Sequence, residues 1–191
     1  MKKRVGLLGG TFNPPHIGHL VIANEALGQL NLDEIWFMPN GNPPHKEVKG
    51  HISNEQRRKM VELAVQSHPS FYVQPIELER EGKSYTVDTI HLLKEQHSTI
   101  DYYFIIGGDM VESLQTWYKI DELMKMVSFV GVNRPGHSIK TPFSIEMIEV
   151  PNFEISSSAI RLKCKEGKSI KYLVPDSVMT FIEEEKLYGS Y

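Results

Sequence analysis

Cysteine is almost absent from this chain: Cys164 stands alone among 191 residues. A lone thiol cannot close an internal disulfide and is most comfortable in a reducing compartment, so the cytoplasm is the expected location. Long apolar runs are missing as well. Behind the basic start Met1-Lys2-Lys3-Arg4 the apolar stretch ends at Leu8, before two glycines, too short for a signal peptide or a bilayer span. An unprocessed protein away from the membrane is therefore expected. A large charge of one sign is also lacking. The formal net charge of -3 offers no general attraction to a polyanion, which sets nucleic acid aside as a partner. A few basic residues can still build a local anion pocket. There is no internal repeat, long flexible linker or low-complexity segment, and 40% hydrophobic content over this length suits one core. One domain over 1–191 is expected, with a helical C-terminal portion from about 156; assembly into a homo-oligomer stays open.

What is present is alternation. Arg4 to Leu8 is a short apolar strand, Gly9-Gly10 a break, and Leu20, Ala23, Leu27 and Leu30 recur at helical spacing. Glu34 to Met38, bounded by Pro39-Asn40-Gly41, closes a strand-helix-strand unit. Ser53 stands three residues before Gln56, a capping pattern that opens a helix through Met60, Leu63 and Ala64. Strands follow at Phe71 to Val73, Tyr102 to Ile106, Met126 to Val132 and Glu146 to Val150. Helices are expected from about Thr86 to Gln96, after Ser157, and from about Asp176 to Glu184. This order predicts an α/β, Rossmann-like, doubly wound and mostly parallel sheet with helices on both faces. The Pro-, Gly- and His-containing loops Asn40 to Gly50 and Arg134 to Pro142 are the segments expected to move.

The strongest chemical signal is Gly9-Gly10-Thr11-Phe12-Asn13-Pro14-Pro15-His16-Ile17-Gly18-His19. Glycines at a strand's carboxyl end let backbone approach a ligand, and the helix behind them offers free N–H groups to a phosphate. The glycine spacing of hydride-transfer enzymes is missing, and His16 and His19 occupy the helix start instead. Three residues apart, they share one side of the first turn and can face a single phosphoryl group. Donors positioned where charge builds on phosphorus oxygens are each worth on the order of a hundredfold in rate. Later, serines at Ser156, Ser157 and Ser158 precede an amphipathic stretch as helix caps do, and Arg161, one turn inside, suits bidentate phosphate binding.

The first motif resembles the signature of the nucleotidylyltransferase superfamily, whose pattern ends in His (or Thr)-x-Gly-His. Ile155-Ser156-Ser157-Ser158-Ala159-Ile160-Arg161 resembles its second signature, with Ser158 in place of the usual threonine and the hydroxyl kept. Between the two, the chain is similar to the bacterial nicotinate mononucleotide adenylyltransferases. Pro43-Pro44-His45-Lys46, Lys83 to Thr89, and Gly107-Gly108-Asp109 with Trp117-Tyr118 carry that likeness. The resemblance implies AMP transfer from ATP to nicotinic acid mononucleotide, with Lys46 near the acceptor's phosphate. It also implies that the Tyr118 amide holds a ring carboxylate and Asp109 a ribose hydroxyl. Independently, an indole such as Trp117 stacks well on an electron-poor pyridine, and a helix start at Tyr85-Thr86 offers N–H donors to a carboxylate.

The residues admit blander readings too. Trp117 and Tyr118 also fit anchors of a helix on the sheet, Asp109 a helix cap, and Lys46 and Arg134 ordinary loop charges. The expected site comprises His16, His19 and Arg161 as catalytic groups. Gly9, Gly10, Thr11, Phe12, Gly18, Gly107, Asp109, Ile155 and the three serines would contact ATP; Lys46, Tyr85, Thr86, Trp117, Tyr118 and Arg134 would contact the acceptor. No carboxylate cluster suggests a dedicated metal site, so Mg2+ is expected to arrive with ATP. Nicotinamide mononucleotide or phosphopantetheine as acceptor, and a nucleotide sensor without turnover, are the alternatives.

Overall fold

The computed structural model describes residues 2–41, 52–133 and 141–189. Its strands are β1 (Lys3–Gly10), β2 (Glu34–Pro39), β3 (Phe71–Val73), β4 (Ile100–Gly107), β5 (Ser128–Asn133) and β6 (Glu146–Glu149). They form one six-stranded sheet in the order β3-β2-β1-β4-β5-β6, and every pairing is parallel. The described helices are α1 (Ile17–Gln29), α2 (Asn54–Val65), α3 (Thr86–Gln96), α4 (Gly108–Ser113), α5 (Ile120–Leu123), α6 (Ser157–Lys165) and α7 (Asp176–Glu184).

Period-two alternation in the central strands feeds two cores. Val5 and Leu7 of β1 and Tyr102, Phe104 and Ile106 of β4 join α3, through Val87, Ile90 and Leu93, on one face. Leu8 of β1, Ile35 and Phe37 of β2 and Ile105 of β4 join Ala23 and Ala26 of α1 and Val61 and Val65 of α2 on the other. The doubly wound, Rossmann-like sheet with helices on both faces is thus observed. A third cluster lies away from the sheet, where Ile160 and Cys164 of α6 and Val178 and Ile182 of α7 pack on Met60 and Ala64 of α2. Cys164 is 4% exposed there, and burial pushes its thiol pKa up.

Ser53 caps α2 as its sequence indicates: its Oγ accepts the Gln56 N–H at 3.1 Å, and Gln56 Oε1 accepts the Ser53 N–H at 3.1 Å. β5 begins two residues later than the Met126 that opens its apolar run. The short helices α4 and α5 have no sequence counterpart, because one or two turns carry too few residues to show a period. The strand order reverses between β1 and β4, which run in register from Lys3 opposite Ile100 to Leu8 opposite Ile105. Ligands of open α/β sheets bind in the crevice beyond the strand ends at such a point, and Gly9, Gly10 and Gly107 stand at those ends here. No described helix is long and apolar enough to cross a membrane.

Candidate active site

Beyond Gly10 the chain turns through Thr11 and Phe12, the latter with φ of 47°. That left-handed conformation is unfavourable for a bulky residue and must be held by its surroundings. Phe12 is 1% exposed, with its ring 5.8 Å from Phe37 and edge-on to His19 at 5.0 Å. A Cβ on Gly10 would lie 3.0 Å from the Phe12 ring, so glycine lets the loop fold back over the strand end.

His16 is the N-cap of α1 and His19 its third residue. Their rings stack at 3.7 Å. The His16 backbone N–H donates to His19 Nδ1 at 3.1 Å, so the neutral His19 ring carries its proton on Nε2 and can donate from that edge. Protonating Nδ1 would set two N–H groups against each other. Burial lowers the His16 pKa to about 4, and burial together with the neighbouring His16 lowers that of His19 to about 3. Both rings are therefore neutral donors near pH 7. His16 Nδ1 is buried and has no hydrogen-bond partner among the described residues.

These shifts predict an acid-sensitive fold. In the unfolded chain both histidines titrate near 6.5, so between there and the folded values the unfolded state binds more protons. The pair's contribution to stability is complete above pH 6.5 and declines as pH falls towards 4, at a slope on the order of 1 kcal/mol per pH unit for each group. The urea midpoint of the wild type is expected to drop from pH 7 to pH 5 more than that of a His16→Asn, His19→Asn variant. Equal drops would show that the pair does not govern the acid response.

The second motif closes on the first. Ser156 caps α6, accepting the Ala159 N–H at 3.2 Å. Ser157 donates to the Pro14 carbonyl at 2.8 Å, and Arg161 donates through Nη1 to the Asn13 carbonyl at 2.8 Å and through Nη2 to Ser158 Oγ at 3.1 Å. Two residues that the sequence did not single out complete the clasp. Arg57 of α2 is fully buried and donates to the Thr11 carbonyl at 3.0 Å and to Asn54 Oδ1 at 2.6 Å. Tyr188 donates to Asn13 Oδ1 at 2.6 Å. On an amphipathic helix an arginine reads as surface, and Tyr188 lies far along the chain, so neither left a local signal.

Two cavities flank this clasp. The larger, about 880 Å³, is lined by Phe12, His16, Gly18 and Asp109 and by the whole segment Ile155, Ser156, Ser157 and Ser158 with Arg161. Asp109 is exposed in the first turn of α4; Gly107, not Asp109, is that helix's N-cap. A Cβ on Gly107 would lie 2.8 Å from Asp109 Oδ1, so glycine there leaves the carboxylate its position. The smaller, about 490 Å³, is lined by Gly9, Gly10, Tyr85, Thr86, Trp117 and Tyr118. Gly9 and Gly10 thus border this second space and not the larger one. Thr11, His19 and Gly107 line both. Trp117 packs edge-on against Phe104 and Phe129 with centroids 6.0 and 6.1 Å away and also borders the cavity, so anchoring and lining coexist. Tyr118 is 52% exposed, its ring 4.7 Å from that of Tyr85. Glu77 and Ser84, absent from the sequence expectation, line the smaller cavity too. Lys46 and Arg134 lie outside the described residues.

A mononucleotide-sized cavity and a larger one, meeting at a histidine on a helix start, define a site that can join two phosphorylated ligands. A family model described as cytidylyltransferase-like matches residues 7–163. Nicotinate-nucleotide adenylyltransferase of Bacillus subtilis (strain 168) is 50% identical over 188 residues, covering 98% of this chain and 100% of its own length. Two solved structures of Plasmodium falciparum nicotinic acid mononucleotide adenylyltransferase, one complexed with APC and one with NaAD, share the fold with a TM-score of 0.79. Each covers 99% of this chain and 98% of its own, at 19% and 20% identity. The chain belongs to the nicotinate-nucleotide adenylyltransferase family, within the cytidylyltransferase-like proteins.

Proposed function

We propose that this protein transfers the AMP unit of ATP to nicotinic acid mononucleotide, releasing pyrophosphate and forming nicotinate adenine dinucleotide, a precursor of NAD. The observation that carries the reading is the junction of the two cavities at His19, flanked by Thr11 and Gly107. ATP occupies the larger cavity and the acceptor the smaller, its ring against Trp117 and its carboxylate at the Tyr85-Thr86 helix start and the Tyr118 amide. The acceptor's phosphate oxygen attacks the α-phosphorus in line; the new P–O bond forms as the bond to pyrophosphate breaks, with no covalent enzyme intermediate. A phosphate monoester is nucleophilic at neutral pH, so positioning and charge stabilisation suffice.

His16 and His19 steady the transferred phosphoryl group, Arg161 and the serines hold the departing pyrophosphate, and Asp109 takes a ribose hydroxyl. Lys46 and Arg134 are assigned to the acceptor side. Among the described residues no group of three or more His, Cys, Asp or Glu is placed to hold a metal ion. Mg2+ is proposed to arrive on the triphosphate oxygens of ATP, where it would supply charge neutralisation. The cytoplasm is the proposed compartment.

The test is magnesium-dependent pyrophosphate release from ATP with nicotinic acid mononucleotide and, separately, nicotinamide mononucleotide. A higher kcat/KM for the nicotinate form is expected. Release with neither acceptor would withdraw the assignments of Trp117 and Thr86.

A further inference from the structure

We propose that the Ser84 hydroxyl is a further acceptor-binding group, donating a hydrogen bond to the carboxylate on the acceptor's ring. The inference rests on the acceptor proposed above. Ser84 is 6% exposed, its Oγ has no hydrogen-bond partner among the described residues, and it lines the smaller cavity beside Thr86 and Trp117. A buried hydroxyl is ordinarily paired, and one left over in the wall of a ligand cavity marks where a ligand atom belongs.

Its place in the chain identifies that atom. Ser84 precedes Tyr85, the N-cap of α3. The Asp88 and Thr89 N–H groups return to the Tyr85 carbonyl at 3.1 and 3.2 Å, whereas the amides of Thr86 and Val87 open the helix and have no acceptor within it. One hydroxyl and two amides at a helix's positive end thus fall within four consecutive residues, a donor set suited to a carboxylate. The nearby buried acid does not absorb the hydroxyl. Glu77 receives the Thr89 hydroxyl on Oε1 at 3.0 Å and the Gly41 N–H on Oε2 at 3.4 Å. Gly41 also leaves room: a Cβ there would lie 3.0 Å from Ser84 Oγ and would collide with the Glu77 carbonyl oxygen. Hydrogen bonds to ionised acceptors are about twice as strong as neutral ones, so the serine favours a ring carboxylate over a carboxamide.

Steady-state kinetics of the full chain with Mg-ATP test this, comparing wild type with Ser84→Ala, which removes the donor at nearly constant volume, and with Ser84→Cys, which keeps a γ-heteroatom, somewhat larger, and weakens the donor. Acceptors are nicotinic acid mononucleotide and nicotinamide mononucleotide, the latter read as a competitive inhibitor if it does not turn over. Both variants are expected to raise the KM for the nicotinate form by on the order of tenfold, with the KM for ATP within about twofold. The constant for the nicotinamide form should change less than about threefold. An unchanged KM for the nicotinate form, or equal losses for both acceptors, overturns the role of Ser84. Wild-type turnover separates the two readings: no dinucleotide from the wild type overturns both, whereas normal wild-type turnover with unaffected variants overturns only this one.

Discussion

Replacing His19 with Ala is expected to lower kcat by on the order of a hundred- to a thousandfold while the KM for nicotinic acid mononucleotide stays within about twofold. The asymmetry follows from position. His19 lines both cavities, at their junction, whereas the proposed acceptor contacts come from Thr86, Trp117 and Tyr118. With Nδ1 engaged by the His16 N–H at 3.1 Å, the ring has its Nε2–H left to offer, a donor aligned before the reaction begins. Such a group contributes most where charge accumulates in the transition state. His19→Asn separates the two ring nitrogens, since an amide can still accept the His16 N–H but cannot reach as Nε2 does. It should keep the loop and lose the rate, and burst-free steady-state turnover of both variants reads this directly. A kcat within tenfold of wild type in His19→Ala would remove the histidine from the chemistry.

The second large effect is on stability. Arg57→Ala is expected to cost about 3–5 kcal/mol, because it empties a fully buried site and strips a hydrogen bond from the Thr11 carbonyl. For a chain of this size that is a fall of roughly 10 °C in Tm. Burial already pushes the guanidinium's pKa down, so part of its cost is desolvation. Arg57→Met keeps the volume without the charge and should therefore recover much of the stability. It should not recover activity, because Thr11 borders both cavities and loses its tether either way. Thermal melts and kinetics on the two variants separate these contributions; a Tm unchanged in Arg57→Ala would mean that the clasp on Thr11 does not support the fold.

Serine residues 156, 157 and 158 show how far local reading reaches. Their spacing before an apolar period identified a capped helix, and Ser156 is that cap. The same spacing could not reveal that Ser157 reaches Pro14 or that Arg161 reaches Asn13, contacts spanning 143 and 148 residues. The motif that reads as a phosphate grip is also a structural clasp on the first motif. The boundary of β5 was legible only approximately, since Met126 and Val127 are apolar in a turn as they would be in a strand. Glu77 shows the opposite failure. A glutamate in a loop carries no period and no motif, yet here it is 4% exposed and holds Thr89 and Gly41 together.

The sequence by itself determined the alternation of strands and helices, the two motifs and the chemistry of their side chains, because each depends on neighbours within about one helical turn. The tertiary structure alone decided that His19 stands between two cavities and that Arg57, Ser84, Glu77 and Tyr188 border or brace the site. Those properties depend on burial and on partners brought from distant parts of the chain. Desolvation and hydrogen-bond pairing are set by the folded surroundings, and no local spacing encodes them.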